Sequence, residues 1–147
     1  MSNTDFLRKA EAELLPPGFE HGHIFSFESN GEIYTVEVDG WNKQTREAVE
    51  ICQSEAGDSS SPKPGQRRKL ASDVLKLTFL KQLELITRGR VVLTSEEMYT
   101  WFHRTRSWLS AAAKYYGIDV ELKHLDKKTT RKRVRNVMRD ARKVFKP

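Results

Sequence analysis

Apolar and polar positions change period several times along this chain of 147 residues, and each change marks an element. Phe6, Leu7, Ala10 and Leu14 recur at helical spacing over residues 4 to 15, with Asn3 or Thr4 as a cap and Pro16-Pro17-Gly18 as a stop. Three strand-like segments follow: Ile24 to Glu28, then Ile33 to Asp39 after a Ser29-Asn30-Gly31 turn, then Ala48 to Gln53. In the second, Tyr34, Val36 and Val38 alternate with Thr35, Glu37 and Asp39; in the third, Val49 and Ile51 alternate with Glu50 and Cys52. The short polar connections predict an antiparallel meander. Ser54 to Gly65 is poor in apolar residues and reads as a loop. From about Gln66 to Thr87 a helix is predicted, with Leu70, Val74 and Leu77 on one stripe. Leu75, Phe79, Leu83 and Ile86 broaden it, as expected where a helix covers a sheet.

Val91 to Thr94 predicts a fourth strand. Thr94 and Glu97 then form a capping-box pattern for a helix that carries Met98, Trp101, Phe102, Trp108, Leu109 and Ala112 on its apolar face and ends at Gly117. Ile118 to Leu122 predicts a fifth strand. The last helix runs from about Thr129 to Phe145, with Val134, Val137, Met138, Ala141 and Phe145 as its seam. The order α-β-β-β-α-β-α-β-α predicts an α/β fold, a mixed sheet of about five strands flanked by helices, because a meander leads into βαβ crossovers. The length suits one domain spanning residues 1–147.

Charge adds a direction to this outline. The formal net charge is +6, yet Asp126 to Pro147 holds ten Lys/Arg against two Asp, leaving the remainder slightly acidic. A basic excess confined to one terminal element predicts a polyanionic partner, with Arg131, Arg135, Arg139 and Arg142 gripping a nucleic-acid backbone. The alternative is a solvated helix face. No apolar run reaches membrane-spanning length, and residues around Asp5, Glu11 and Glu13 contain no apolar signal core. The single cysteine, Cys52, excludes an internal disulfide framework. These features predict a cytoplasmic protein without a membrane partner.

The candidate chemistry lies on the second and third strands. Side chains alternate by two, so Glu37 and Asp39 share a face, as do Glu50 and Cys52. If the strands are neighbours, Asp39 and Glu50 face each other at the sheet's end. Two adjacent carboxylates repel unless a cation neutralises them, and such oxygens suit Mg²⁺. Acids on the solvent face of an edge strand, by contrast, need no metal.

The order α-β-β-β-α-β, an Asp near the end of the second strand and a Glu in the third resemble the PD-(D/E)XK, or restriction-endonuclease-like, superfamily over roughly Thr4 to Thr94. The resemblance implies a DNA nuclease dependent on Mg²⁺ or Mn²⁺. It assigns the metal to Asp39 and Glu50 with the Ile51 backbone carbonyl, and an additional acidic residue to Glu11 or Glu13. The chain departs from the pattern at Cys52, where the family usually has Lys, and it lacks the Pro before the Asp. The resemblance therefore moves the cationic role to Lys63 or Lys69, with Gln66 as a further catalytic helper. Gln53 is another stand-in if a bulge turns it to the site. Lys63 to Lys69 opens a helix, whose free N–H groups attract phosphate, and Arg67 and Arg68 add charge there.

The remaining polar and aromatic residues read as structural. His21 and His23 form a His-x-His pair ahead of the first strand with no further ligand nearby, and His103 and His124 have no evident partner. Trp41 suits either a cleft or a packed rim. Trp101, Phe102 and Trp108 read as core, since base stacking needs exposed rings. Cys52 lacks a neighbouring His to activate it. Two functions stay open: a DNA endonuclease, or a nuclease-fold module without activity that binds nucleic acid or a protein partner, a homodimer included.

Overall fold

The computed structural model describes residues 11–53, 62–104 and 106–123. Five strands form one sheet: β1 (Glu20–Ser29), β2 (Glu32–Asn42), β3 (Glu47–Cys52), β4 (Arg88–Leu93) and β5 (Ile118–Leu122). Each neighbours the next in chain order. β1, β2 and β3 run antiparallel, whereas β3, β4 and β5 run parallel. Helix α1 (Pro64–Gln82) joins β3 to β4, and α2 (Glu96–Arg104) and α3 (Trp108–Tyr115) join β4 to β5. The fold is thus an α/β mixed sheet flanked by helices, as the hydrophobic pattern predicts. Among the described residues, no helix is long and apolar enough to cross a membrane.

The β1–β2 connection is a two-residue turn in which Asn30 and Gly31 both take positive φ, 52° and 81°. That geometry matches the right-handed twist of a hairpin and selects Asn-Gly. β3 lies centrally, and all six of its residues are buried. Ala48 and Cys52 join the main core with α1, whereas Val49 and Ile51 pack against Leu14 on the other face. Leu14 belongs to the helical turn at residues 11–14. The rest of the predicted first helix and the whole of the predicted last helix lie outside the described residues.

Several expectations are corrected. α1 buries Leu70, Asp73, Val74, Leu77 and Leu80, a narrower stripe than expected. Leu75, Phe79 and Leu83 are exposed, because only one side of the helix meets the sheet, and Ile86 is buried beyond the helix end. The single helix expected between β4 and β5 is two. Ser107 interrupts it, its side chain accepting from the Ser110 N–H at 3.2 Å and capping α3. The break turns Trp108 out of the expected core. The α2 cap is Ser95 rather than Thr94, its hydroxyl accepting from the Met98 N–H at 3.3 Å. His21 and His23 lie within β1, not ahead of it.

Leu77→Ala is expected to destabilise the protein by about 2–5 kcal/mol through lost contacts and a cavity. Leu75→Ala, 69% exposed, is expected to stay within about 0.5 kcal/mol of the parent. Urea titration of both variants checks the two faces of α1.

Candidate active site

β2 and β3 pair only at Gly40↔Val49, Trp41↔Ala48 and Asn42↔Glu47. The next rung would join Asp39 to Glu50, and there the strands part. The β1–β2 ladder also skips its Gly22–Asp39 rung. The faces change across this point. Val38 and Trp41, three residues apart, lie in the same core, while Gly40 backs onto Leu15 of the opposite cluster. Gly22 meets the irregularity with a φ of 76°, a conformation open to glycine without strain.

The Asp39 side chain enters the gap, and its Oδ2 accepts from the Ile51 N–H at 2.8 Å. The carboxylate thereby takes over a bond the ladder no longer makes. N–H and C=O groups of one strand residue leave on the same edge, and successive residues alternate edges. The Cys52 carbonyl accepts from the Thr94 N–H at 3.4 Å, on the β4 side. The Ile51 carbonyl therefore faces the β2 side, toward Asp39.

Glu50 is 1% exposed. Lys76 Nζ of α1 donates to its Oε1 at 2.7 Å and to the Glu37 carbonyl at 3.0 Å. The Glu50 carboxyl is also hydrogen-bonded to Asp39. Burial, reinforced by the Asp39 charge and hydrogen bond, pushes Glu50 up to about 8 against the opposing pull of Lys76. Glu50 thus keeps its proton near neutrality.

Further titratable groups surround this pair. Glu11 is raised by burial and by Asp39, and its Oε2 is hydrogen-bonded to His21 Nε2 at 3.1 Å. Asp73 is buried on α1, which raises its carboxyl, and Lys69 Nζ donates to both its oxygens at 2.6 and 2.7 Å. Lys69 also lies within electrostatic reach of Glu50 and Cys52.

Asp39, Glu50, Ile51, Glu11 and Lys69 therefore converge, from four separate stretches of sequence. Lys63 and Gln66 meet at the start of α1, where Gln66 Oε1 accepts from the Lys63 N–H at 3.0 Å and caps the helix. Arg67 and Arg68 are exposed near that end, Arg67 lying 5.0 Å from the Trp101 ring centre. Arg131, Arg135, Arg139, Arg142 and His124 lie outside the described residues. Trp41 is packed and stacks with His23. His103 is exposed against Tyr99 and Phe102. Burial pushes the Cys52 thiol up to about 11, which keeps it from acting as a thiolate.

Sequence reasoning missed Lys76 and Asp73. Asp73 had a readable signal, since it stands three residues after Leu70 on a stripe that is otherwise apolar. Lys76 follows one turn later, but only the packing of α1 on β3 brings it to Glu50.

Among the described residues, no group of three or more His, Cys, Asp or Glu side chains is arranged to hold a metal ion. The oxygen donors at the gap are instead two carboxyls and one backbone carbonyl, a set that fits a hard divalent cation. No family model, curated protein or solved structure compared with this chain matches it.

The raised Glu50 makes stability depend on pH. Between its ordinary 4.5 and about 8, the native state holds a proton that the unfolded chain releases. Unfolding free energy should therefore fall as pH rises through that window. Glu50→Gln, always neutral, should make the slope shallower in urea titrations across this range, with Glu11 and Asp73 sustaining the remainder.

Proposed function

We propose that this chain is a nuclease of the PD-(D/E)XK, restriction-endonuclease-like kind that hydrolyses phosphodiester bonds in DNA with Mg²⁺ or Mn²⁺. The observation that carries the reading is the meeting of Asp39 and Glu50 where β2 leaves β3. The Ile51 backbone lies beside them. Asp39, Glu50 and the Ile51 carbonyl would hold the ion, with Glu11 at the margin of the set. A bound divalent ion supplies charge neutralisation at the phosphodiester and a more acidic water.

The protein's own groups have separable tasks. Asp39 stays oriented through the Ile51 N–H. Glu50, buried and holding a proton, would gain a charge partner from a bound cation and would then give that proton up. Lys76 takes the cationic role that Cys52 cannot fill, because its ammonium already reaches Glu50. Lys69, oriented by Asp73, offers a second cation two turns earlier on α1. Arg67 and Arg68 are exposed nearby to meet backbone phosphates, contacts that add affinity without reading sequence. The basic segment from Asp126 to Pro147 favours the same polyanion.

A second reading is a nucleic-acid- or protein-binding module without catalysis. It is favoured by the bond between Lys76 and Glu50, which neutralises the buried acid without any metal.

Purified protein should nick plasmid DNA with Mg²⁺ or Mn²⁺ and stop when EDTA is added. Asp39→Ala and Glu50→Ala should each lower the rate by about 100-fold or more. Equal cleavage by parent and both variants would identify a contaminant and leave the binding module as the function. Lys76→Met should slow cleavage yet tighten Mn²⁺ binding, read by calorimetry, because the ammonium and the ion compete for Glu50.

A further inference from the structure

The exposed side of α3 carries a feature unconnected with the carboxylates. Trp108 is 77% exposed and Tyr115 is 85% exposed. Seven residues apart on a helix, they stand two turns from each other on one face, about 10 Å along the axis. Ala111 and Ala112 lie between them at i+3 and i+4, too small to fill the space. Tyr116 meets Tyr115 edge to face at 5.2 Å and buttresses it. Neither Trp108 nor Tyr115 anchors the helix, because Leu109, Ser110 and Ala113 are the residues that bury α3.

The stretch of sequence that carries these rings is basic. From Met98 to Ile118 the sequence contains no Asp or Glu. Arg104, Arg106 and Lys114 are exposed, and no described carboxylate pairs with them. Of the acids flanking this stretch, Glu96 and Glu97 lie in the first turn of α2, and Asp119 and Glu121 are held by Arg88 and Arg90. Exposed flat rings interleaved with unpaired cations complement a chain that alternates bases with phosphates. A duplex hides its base faces, so the complementary partner is single-stranded.

We propose that α3 is a stacking surface for unpaired nucleotides, Trp108 and Tyr115 holding bases and Arg104, Arg106 and Lys114 holding phosphates. The surface works without the carboxylate site, so its test is run in EDTA on the full chain. A dye-labelled oligothymidine and an abasic oligomer of equal length are compared by fluorescence anisotropy. The oligothymidine should bind more tightly, and Trp108→Ala and Tyr115→Ala should each weaken it by about tenfold. Binding of the abasic oligomer should not change, and Trp108→Phe should retain most of the oligothymidine affinity. Both Ala variants should melt as the parent does, since their side chains are exposed. Trp41 is buried and Trp101 half-buried, so the quenching that Trp108→Phe removes should be the larger part in the free protein, and oligothymidine should suppress that part. Equal affinity for the two oligomers, or unchanged binding by both Ala variants, overturns the proposal. So does a Trp108 shielded from acrylamide in the free protein, which would mean that another part of the chain or a second copy covers it.

Discussion

A buried backbone N–H must find an acceptor, and at Ile51 that acceptor is the Asp39 carboxylate instead of a neighbouring strand. The bond lets β2 leave β3 without stranding the donor. It also fixes the direction of Asp39, keeps the Ile51 carbonyl on the open edge and brings a second carboxyl against Glu50. Continued pairing beyond Gly40 and Val49 would have spent these groups on the ladder and closed the gap. The site is therefore a controlled failure of sheet pairing, tolerated because a side chain substitutes for the missing strand.

β3 shows what such a site costs in a covered sheet. Its two acids are both buried, and each has a cation reaching across from another element. Glu47 on the Leu14 side is held by Arg90 of β4, and Glu50 on the helix side by Lys76 of α1. Burying a carboxylate is unfavourable unless it is paired or protonated. Glu50 uses both remedies, with the Lys76 ammonium beside it and a pKa raised far enough to keep its proton. Helix α1 consequently does two things with one face. Leu70, Val74, Leu77 and Leu80 cover the sheet, while Lys69, Asp73 and Lys76 deliver charge to its end. A lysine on β3 at position 52 would have to lie where Cys52 packs in the core. Cations rooted on the helix reach the same acids while keeping partial access to water, as the half-exposed Lys69 does.

The sequence made the fold readable because strand and helix periods differ and because helical stretches alternate with strands after the meander. Boundaries slipped where the governing contact was local but ambiguous. Thr94 and Ser95 are both competent caps, and Ser107 within an apolar-periodic stretch gave little warning that it would start a new helix. Trp108 was misread for that reason: the spacing that places it with Trp101 and Leu109 holds only along an unbroken helix. Leu75, Phe79 and Leu83 were misassigned because periodicity identifies candidate apolar positions without showing how wide a face the sheet will cover.

By itself, the sequence determined the alternation of elements, the acids on the second and third strands and the basic segment from Asp126 to Pro147, since these follow from side-chain identity and short-range spacing. Only the tertiary structure decided that Asp39 would leave the ladder to bond Ile51, that Lys76 would supply the cation for Glu50, and that Trp108 and Tyr115 would face outward. Those outcomes depend on distances between residues far apart in the chain. They are set by how α1 seats on β3 and where β2 parts from it, and a one-dimensional pattern carries no record of either.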